Sequence, residues 1–99
     1  MIQNFVDNLI NGATKAHKAV EEGEINKLSI LSKAELMQTD KDRETPLHYA
    51  ATNGNLEICK ILINKCPEIL FIRDNDGETA YDYAVKYSEN QELINFLKQ

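Results

Sequence analysis

The stretch TPLHYAATNGNLEICKIL, residues 45–62, carries the strongest structural signals in this chain. Thr45 is a good N-cap residue, and Pro46 suits the first turn of a helix, where a missing N–H group costs nothing. Gly54 predicts that this helix ends at about Asn53, because glycine readily takes the left-handed conformation found just past helix ends. The stretch therefore predicts one short helix followed at once by another.

The second helix is expected to open at Asn55 and to carry a broad apolar stripe. Pro67 forbids its easy continuation, because proline lacks the backbone N–H group that a helix needs. Apolar residues recur along one side at helical spacing. They are Leu56, Ile58, Cys59, Ile61, Leu62 and Ile63. A helix pair this short cannot bury such a stripe alone, so stacking on similar pairs is expected.

The pattern recurs on both sides of this unit, with a period of about 33 residues. One period later, GETAYDYAVKYSENQELINFL has Thr79 and Ala84 in the positions of Thr45 and Ala50. One period earlier, TKAHKAVEEGEINKLSIL repeats the threonine, histidine, alanine and glycine. These are Thr14, His17, Ala19 and Gly23. The sequence therefore predicts three stacked helix pairs, with turns projecting near 40–44 and 74–78.

The middle unit, from Asp40 to about Arg73, resembles the ankyrin repeat, with the pattern D-x-x-x-x-TPLHxAAxxGxxxIxxxLI followed by DNDGET. The last unit, DNDGETAYDYA, resembles a C-terminal ankyrin unit, with Ala80 for proline and Asp82 for histidine. The first unit lacks the proline and the preceding turn. The resemblance covers residues 14–99 and implies an all-α ankyrin-repeat solenoid of stacked helix-turn-helix units with short hairpin turns.

The expected organisation is a single ankyrin-repeat domain, residues 1–99. Its parts are an N-terminal cap helix at 1–12, a degraded first repeat at 13–39, a second repeat at 40–73 and a C-terminal capping repeat at 74–99. One face of the first segment is apolar and is expected to cover the open end of the first repeat. This face comprises Ile2, Phe5, Val6, Leu9 and Ile10. The alternative is that it contacts a partner or a second copy.

The sequence departs from the ankyrin-repeat pattern at three places, and two of them lead to structural expectations. Arg43 stands where the family usually has the hairpin glycine, which predicts a less sharp first hairpin. CPEIL, residues 66–70, replaces the usual polar segment, and the apolar run from Ile69 to Ile72 is expected to be mostly buried. The last unit also has one extra residue, within YSENQELINFL.

His48 has three roles to be weighed: catalytic, metal-binding and structural. A catalytic histidine needs a nucleophile, and no motif supplies one. A metal site needs further ligands, but the only other histidine, His17, lies one repeat away, at about 10 Å if the helices pack normally. The family resemblance implies the structural role, in which His48 hydrogen-bonds to loop backbone near the Thr45 cap.

No other motif predicts an enzyme, a cofactor or a metal site. The sequence has no GxGxxG, GKS, GKT or HExxH. The DNDGE stretch fails as an EF-hand, because Ile72 and Tyr83 would occupy its first and twelfth ligand positions. It is interpreted as a hairpin turn. The neighbouring acids Glu21 and Glu22 are interpreted as a solvated face.

Composition and cysteine content exclude several classes of partner. The net charge is −5 with a pI of about 4.9, which is unfavourable for binding nucleic acid or an anionic membrane surface. There is no apolar stretch of transmembrane length and no secretory signal.

Cys59 and Cys66 lie roughly 10 Å apart along a helix, beyond disulfide reach. They are expected to be core residues of an intracellular protein, and we expect a cytoplasmic one.

The leading functional prediction is a non-catalytic module that binds another protein. The resemblance implies contact through the hairpin tips and the concave face of the first helices. The tip residues are Lys41, Asp42, Glu44, Asn75, Asp76 and Glu78, and the helix residues are Thr52, Asn53, Lys86 and Tyr87, with Glu21 and Glu22 from the first unit. Tyr49 and Tyr83 are expected to pack between repeats.

Two alternatives differ from this prediction in class. The chain could be an accessory module of a larger protein, such as a long acyl-CoA-binding protein with C-terminal ankyrin repeats. It could also be a scaffold that self-associates through residues 2–10, where the leading prediction is a monomer.

Overall fold

The computed structural model describes residues 12–98, and within this range the chain is helical and contains no strand. Seven α-helices and one 3₁₀-helix account for its regular structure. They are α1 (Lys15–Glu22), α2 (Ile25–Ile30), α3 (Lys33–Leu36), α4 (Pro46–Asn53), α5 (Leu56–Lys65), the 3₁₀-helix (Pro67–Phe71), α6 (Ala80–Tyr87) and α7 (Gln91–Leu97). The predicted all-α repeat fold is confirmed. The helix predicted within 2–10 lies outside the described residues.

Each unit starts its first helix with a threonine cap. At α4, Thr45 N–H donates to His48 Nδ1 over 3.0 Å, and Thr45 Oγ1 accepts the backbone N–H of His48 at 3.3 Å. At α6, Asp82 replaces the histidine, and its Oδ2 accepts the N–H of Thr79 at 3.0 Å. These bonds satisfy N–H groups that have no partner inside the helix, which is why threonine recurs at this position.

In two of the three units the first helix ends at a glycine, as the sequence predicted. Gly23 ends α1 and Gly54 ends α4, with φ values of 69° and 70°. In the last unit α6 ends at Ser88, which has a negative φ of −104°. The extra residue predicted there lies between α6 and Asn90, the N-cap of α7. The chain therefore needs no glycine at this turn.

The units stack with first helices against first helices and second helices against second helices. α4 packs between α1 and α6, and α5 packs against both α2 and α7. Buried alanines on the first helices keep their backbones close together. These are Ala16, Ala19, Ala50, Ala51, Ala80 and Ala84. Larger side chains fill the space behind them, namely Leu28, Leu36, Leu47, Ile58, Leu62, Ile69, Leu93 and Leu97.

The second helix of the first unit is followed by a short additional helix, α3, which was not predicted. α2 ends at Leu31, which is extended (φ −76°, ψ 146°). Ser32 then starts α3, because its Oγ accepts the N–H of Glu35 at 3.1 Å while Glu35 Oε1 accepts the N–H of Ser32 at 2.9 Å. This reciprocal capping box begins a new helix, which the repeat pattern did not predict.

The apolar run after Pro67 is only partly buried. Ile69 and Leu70 lie in the core and Ile72 is half-buried, but Phe71 is 68% exposed. Phe71 is therefore the exception in a run that was predicted to be mostly buried. The 3₁₀-helix explains the difference, because with three residues per turn consecutive side chains point in different directions.

The first hairpin is as sharp as the second, so the prediction of a looser turn at Arg43 is wrong. Arg43 has a φ of 66°, close to the 81° of Gly77, the equivalent residue. Asp40 N–H donates to Glu44 O at 3.0 Å, and Asp74 N–H donates to Glu78 O at 2.9 Å. Arg43 thus takes the left-handed conformation that ordinarily favours glycine.

Replacing this arginine by glycine is expected to stabilise the protein. Arg43→Gly should raise the free energy of unfolding by about 0.5–1 kcal/mol, because glycine takes positive φ without steric cost. Arg43→Ala removes the same side chain but keeps the strain, so it should remain close to the native value. Urea unfolding of the three chains measures the difference. Equal stability of the glycine and alanine variants would contradict the prediction.

Candidate protein-binding face

His48 has the structural role, because both of its ring nitrogens are engaged. Nδ1 accepts the backbone N–H of Thr45, so the ring proton lies on Nε2. Nε2 donates to the carbonyl oxygen of Glu78 at 2.9 Å, in the next unit. His48 is fully buried. This arrangement leaves neither nitrogen available for a metal ion or a nucleophile.

The same bridge occurs between the first and second units. His17 Nδ1 accepts the N–H of Thr14 at 3.1 Å, and its Nε2 lies 2.7 Å from the carbonyl oxygen of Glu44. A tyrosine of the following unit packs against each imidazole, as predicted. The ring centroids of His17 and Tyr49 are 4.5 Å apart, and those of His48 and Tyr83 are 4.8 Å apart.

Burial lowers the pKa of both histidines below 6.5, and the bond to a backbone carbonyl only partly opposes this. Near pH 6.5 the unfolded chain therefore binds more protons than the native chain, and the free energy of unfolding falls as the pH falls through this value. Burial raises the pKa of Glu44 above 4.5. At lower pH the native chain therefore binds the extra proton at Glu44, and this effect raises the free energy of unfolding as the pH falls. The histidine effect is best observed above about pH 5.5.

We expect the native chain to be less stable at about pH 5.5 than at about pH 7.5. In His48→Asn the loss should be smaller, because asparagine can still accept the Thr45 N–H bond but does not titrate. Urea unfolding at both pH values, at equal ionic strength, measures the two losses. An equal loss in the two chains, or greater stability at the lower pH, would contradict this.

The two predicted hairpin tips are joined to each other. The N–H of Asn75 donates to the carbonyl oxygen of Asp42 at 3.0 Å, and Asn75 Nδ2 lies 3.4 Å from the carbonyl oxygen of Lys41. The side chains of Lys41, Asp42 and Asp76 are exposed. The tips therefore form one surface whose backbone is fixed by bonds between the hairpins.

Glu44 and Glu78 differ from the other tip residues, because both are half-buried and bonded within the fold. Glu44 Oε2 accepts the hydroxyl of Tyr83 at 2.7 Å, and Glu78 forms a salt bridge with Lys86. Their backbone carbonyls also accept the histidine bridges. Side-chain replacements at these positions would disturb the stack as well as the surface.

The helix residues lie near the ends of the first helices, and all are exposed. Thr52 Oγ1 donates to the carbonyl oxygen of His48 at 3.0 Å. Asn53 Nδ2 donates to Glu21 Oε1 at 3.1 Å, which joins α4 to α1. Tyr87 is 59% exposed, and its ring meets that of Tyr83 edge to face at 5.7 Å. We call the ten residues Lys41, Asp42, Glu44, Thr52, Asn53, Asn75, Asp76, Glu78, Lys86 and Tyr87 the tip face.

Two pairs of a tyrosine and a buried aspartate support the hairpins, and sequence reasoning missed them. Tyr49 donates its hydroxyl to Asp40 Oδ2 at 2.7 Å, and Tyr83 donates to Asp74. Burial and the adjacent carboxylates raise the pKa of both tyrosines. The sequence did carry a signal for these pairs, because in the second and third units an aspartate stands nine residues before the tyrosine.

Asp74, Asp76 and Glu78 bring three carboxylates close together at the second hairpin. Asp74 uses both of its oxygens within the fold. Oδ1 accepts the N–H groups of Asp76 and Glu78, at 2.9 and 2.8 Å, and Oδ2 accepts the hydroxyl of Tyr83. The cluster is explained by these bonds, which build the turn.

Cys59 and Cys66 are free thiols in the core, as predicted. Burial raises the pKa of Cys59 to about 12 and also raises that of Cys66. Both therefore stay protonated near neutral pH and behave as small apolar side chains.

Within residues 12–98, no helix has the length and apolar character that crossing a bilayer requires.

Comparison with known proteins identifies relatives across almost the whole described range. The family model for ankyrin repeats matches residues 16–99 with three copies. The liver isoform of mitochondrial glutaminase from Mus musculus is 35% identical over 68 residues, which is 69% of this chain and 11% of that protein. Protein phosphatase 1 regulatory subunit 12A from Mus musculus is 31% identical over 91 residues, 90% of this chain and 8% of that protein.

A shorter relative is an ankyrin repeat protein of Rickettsia bellii, 45% identical over 51 residues, which is 50% of this chain and 52% of that protein. This chain spans about a tenth of the length of the mammalian relatives. The similarity to those proteins is therefore a similarity to their repeat segments.

Proposed function

Because this chain belongs to the ankyrin-repeat family, whose repeats are generally protein-interaction modules, we propose that it binds a protein partner through the tip face and catalyses no reaction. The observation that carries the proposal is the bond between Asn75 N–H and Asp42 O, which holds the two tips together. A surface ordered before binding loses less conformational entropy when a partner docks, and so binds more tightly.

The charges of the tip face favour a partner with a basic surface. Asp42 and Asp76 project from neighbouring tips, and within residues 12–98 neither is paired with a cation, whereas Lys86 is already paired with Glu78. The net charge of the whole chain is −5. Opposite charge on the partner would speed its association and fix its orientation.

Tyr87 is the residue best suited to anchor such a partner. Aromatic side chains dominate the energetics of many interfaces, and the exposed ring of Tyr87 is held by its edge-to-face contact with Tyr83. It stands beside polar and charged neighbours that can form the rim of an interface.

The experiment is a quantitative pull-down with three baits, read by mass spectrometry. The tip variant carries Asp42→Ala, Asp76→Ala and Tyr87→Ala, which avoid the bonded side chains of Glu44 and Asn75. The control variant carries Glu57→Ala, Glu92→Ala and Asn64→Ala. These exposed residues lie on the second helices α5 and α7, and their replacement changes the net charge equally.

The expected result is a partner retained by the native and control baits and reduced by at least about tenfold on the tip variant. Isothermal titration with that partner, purified, should give the same order of affinities. A partner lost equally from both variants, or from neither, would show that the tip face is not the binding surface.

A second function is supported by the relatives, which are mostly much longer than this chain. We propose that repeats of this kind also serve as accessory modules that place another domain near its target. The free, buried cysteines support a reducing compartment for such a module. Appending the 99 residues to a reporter protein and following its location in cells, with the tip variant as the control, tests this. A reporter location independent of the module would contradict it.

A further inference from the structure

The outer side of α6 carries apolar residues that are left uncovered within residues 12–98. Val85 is 53% exposed and Tyr81 is half-buried, and because they are four residues apart they lie on one side of the helix. The exposed ring of Phe71 lines the adjacent groove together with Tyr81 and Leu97, and this groove has a volume of about 320 Å³. Together these residues form an apolar strip that is separate from the tip face.

The equivalent positions are buried in both earlier units. Tyr81 and Val85 correspond to Leu47 and Ala51 one period earlier, and both of these are fully buried. The first unit has Ala16 and Val20 in these positions, with at most 3% of either side chain exposed. α1 is covered by α4, and α4 by α6. The outer side of α6 therefore has the residues of a helix-packing surface.

Asp82 indicates that the helix packed here does not belong to another unit of the same kind. It stands in the position from which His17 and His48 donate to a carbonyl of the next unit. An ionised carboxylate has no proton to donate to a carbonyl oxygen. The histidine bond that joins the first unit to the second and the second to the third therefore cannot form from α6.

The charges around the groove indicate the chemistry of the occupant. Arg73 and Lys98 both line it and are exposed, and among the described residues no acidic side chain lines it. Two cations in this position contrast with the net charge of −5. We propose that the outer side of α6 docks an amphipathic helix from a partner protein, with apolar residues against Phe71, Tyr81 and Val85 and carboxylates beside Arg73 and Lys98.

A displayed library of helix-forming peptides about 20 residues long, spanning roughly 30 Å, is the probe for this proposal. The library is selected on the native chain and depleted on Val85→Glu, which places a charge in the apolar strip. The expected binders have an apolar stripe flanked by Asp or Glu. Reversing both cations, with Arg73→Glu and Lys98→Glu, should weaken them by at least about tenfold.

Charge reversals at two other lysines show whether the lost peptide affinity comes from the groove or from the net charge. Lys18→Glu with Lys60→Glu changes the net charge equally at exposed sites outside the groove and should leave the affinity within about twofold. Exchanging the acidic residues of a binder for lysine should restore its affinity for the Arg73→Glu, Lys98→Glu chain. This charge exchange separates docking in the groove from general attraction.

Three results would overturn the proposal. The selection could yield no peptide that Val85→Glu excludes, or it could yield peptides with basic flanks. Light scattering could instead show a dimer of the native chain that Val85→Glu dissociates, in which case a second copy is the occupant. None of these results bears on the tip-face pull-down, because the two surfaces share no residue.

Discussion

His48→Ala is expected to lower the free energy of unfolding by about 3 kcal/mol, a large fraction of the stability of a small domain. The substitution removes the buried ring that accepts the N–H of Thr45 and donates to the carbonyl oxygen of Glu78. Both of these backbone groups would lose a partner in a buried setting, and a cavity would remain beside Tyr83. Urea unfolding monitored by circular dichroism gives the value.

A second variant separates the two bonds. His48→Asn can keep the cap, as Asp82 does in the last unit, but cannot reach the next unit. About half of the alanine effect is expected. Glu57→Ala, an exposed change on α5, should remain within about 0.5 kcal/mol of the native chain. If His48→Ala is as mild as Glu57→Ala, the bridge contributes nothing to the stack.

Asp74→Ala is expected to cost about 2–3 kcal/mol, because one carboxylate accepts two backbone N–H groups and the hydroxyl of Tyr83. The N–H groups of Asp76 and Glu78 would lose their acceptor at the base of the hairpin. Tyr83 would retain Glu44 as an acceptor, which limits the loss.

Asp76→Ala is the matched control for this prediction. It removes a neighbouring carboxylate of the same hairpin, but its side chain is exposed, so a change within about 0.5 kcal/mol is expected. Asp74→Asn should fall between the two, since an amide oxygen can still accept the backbone bonds. Equal stability of the Asp74→Ala and Asp76→Ala chains would show that the turn forms without its buried carboxylate.

The parts of the fold that local chemistry determines were predictable from the sequence. Thr45, Pro46 and Gly54 each act within one turn of helix, so their type alone indicates where α4 begins and ends. The structural role of His48 followed from the family resemblance rather than from the residue. Its acceptor is a backbone carbonyl of the next unit, and a carbonyl has no signature in a sequence.

Arg43, Phe71 and Ser32 depart from what the repeat pattern predicted, and each departure has its own physical cause. Arg43 takes a positive φ because the bonds of the Asp40 carboxylate and the Tyr49 hydroxyl impose the turn. Phe71 is exposed because a 3₁₀-helix turns it away from the core. Ser32 begins the additional helix α3 because its capping box with Glu35 forms.

The candidate binding residues were placed on the surface by their repeat positions, and ten of them form the tip face described above. Sequence reasoning could not distinguish side chains that project freely, such as Asp42, from those bonded within the fold, such as Glu44. That distinction depends on Tyr83, which lies in a different unit. The binding role of all ten remains a prediction.

The histidine bridges also bear on how such a chain can change over evolutionary time. Each bridge needs a particular side chain on one unit only, because the acceptor on the next is a main-chain carbonyl that every amino acid supplies. A change of residue type at the accepting position therefore leaves the acceptor in place without a compensating mutation. The exposed side chains of the same hairpins, such as Asp42 and Asp76, take no part in the bridges. New recognition surfaces can therefore arise at the tips while the bonds between units are kept.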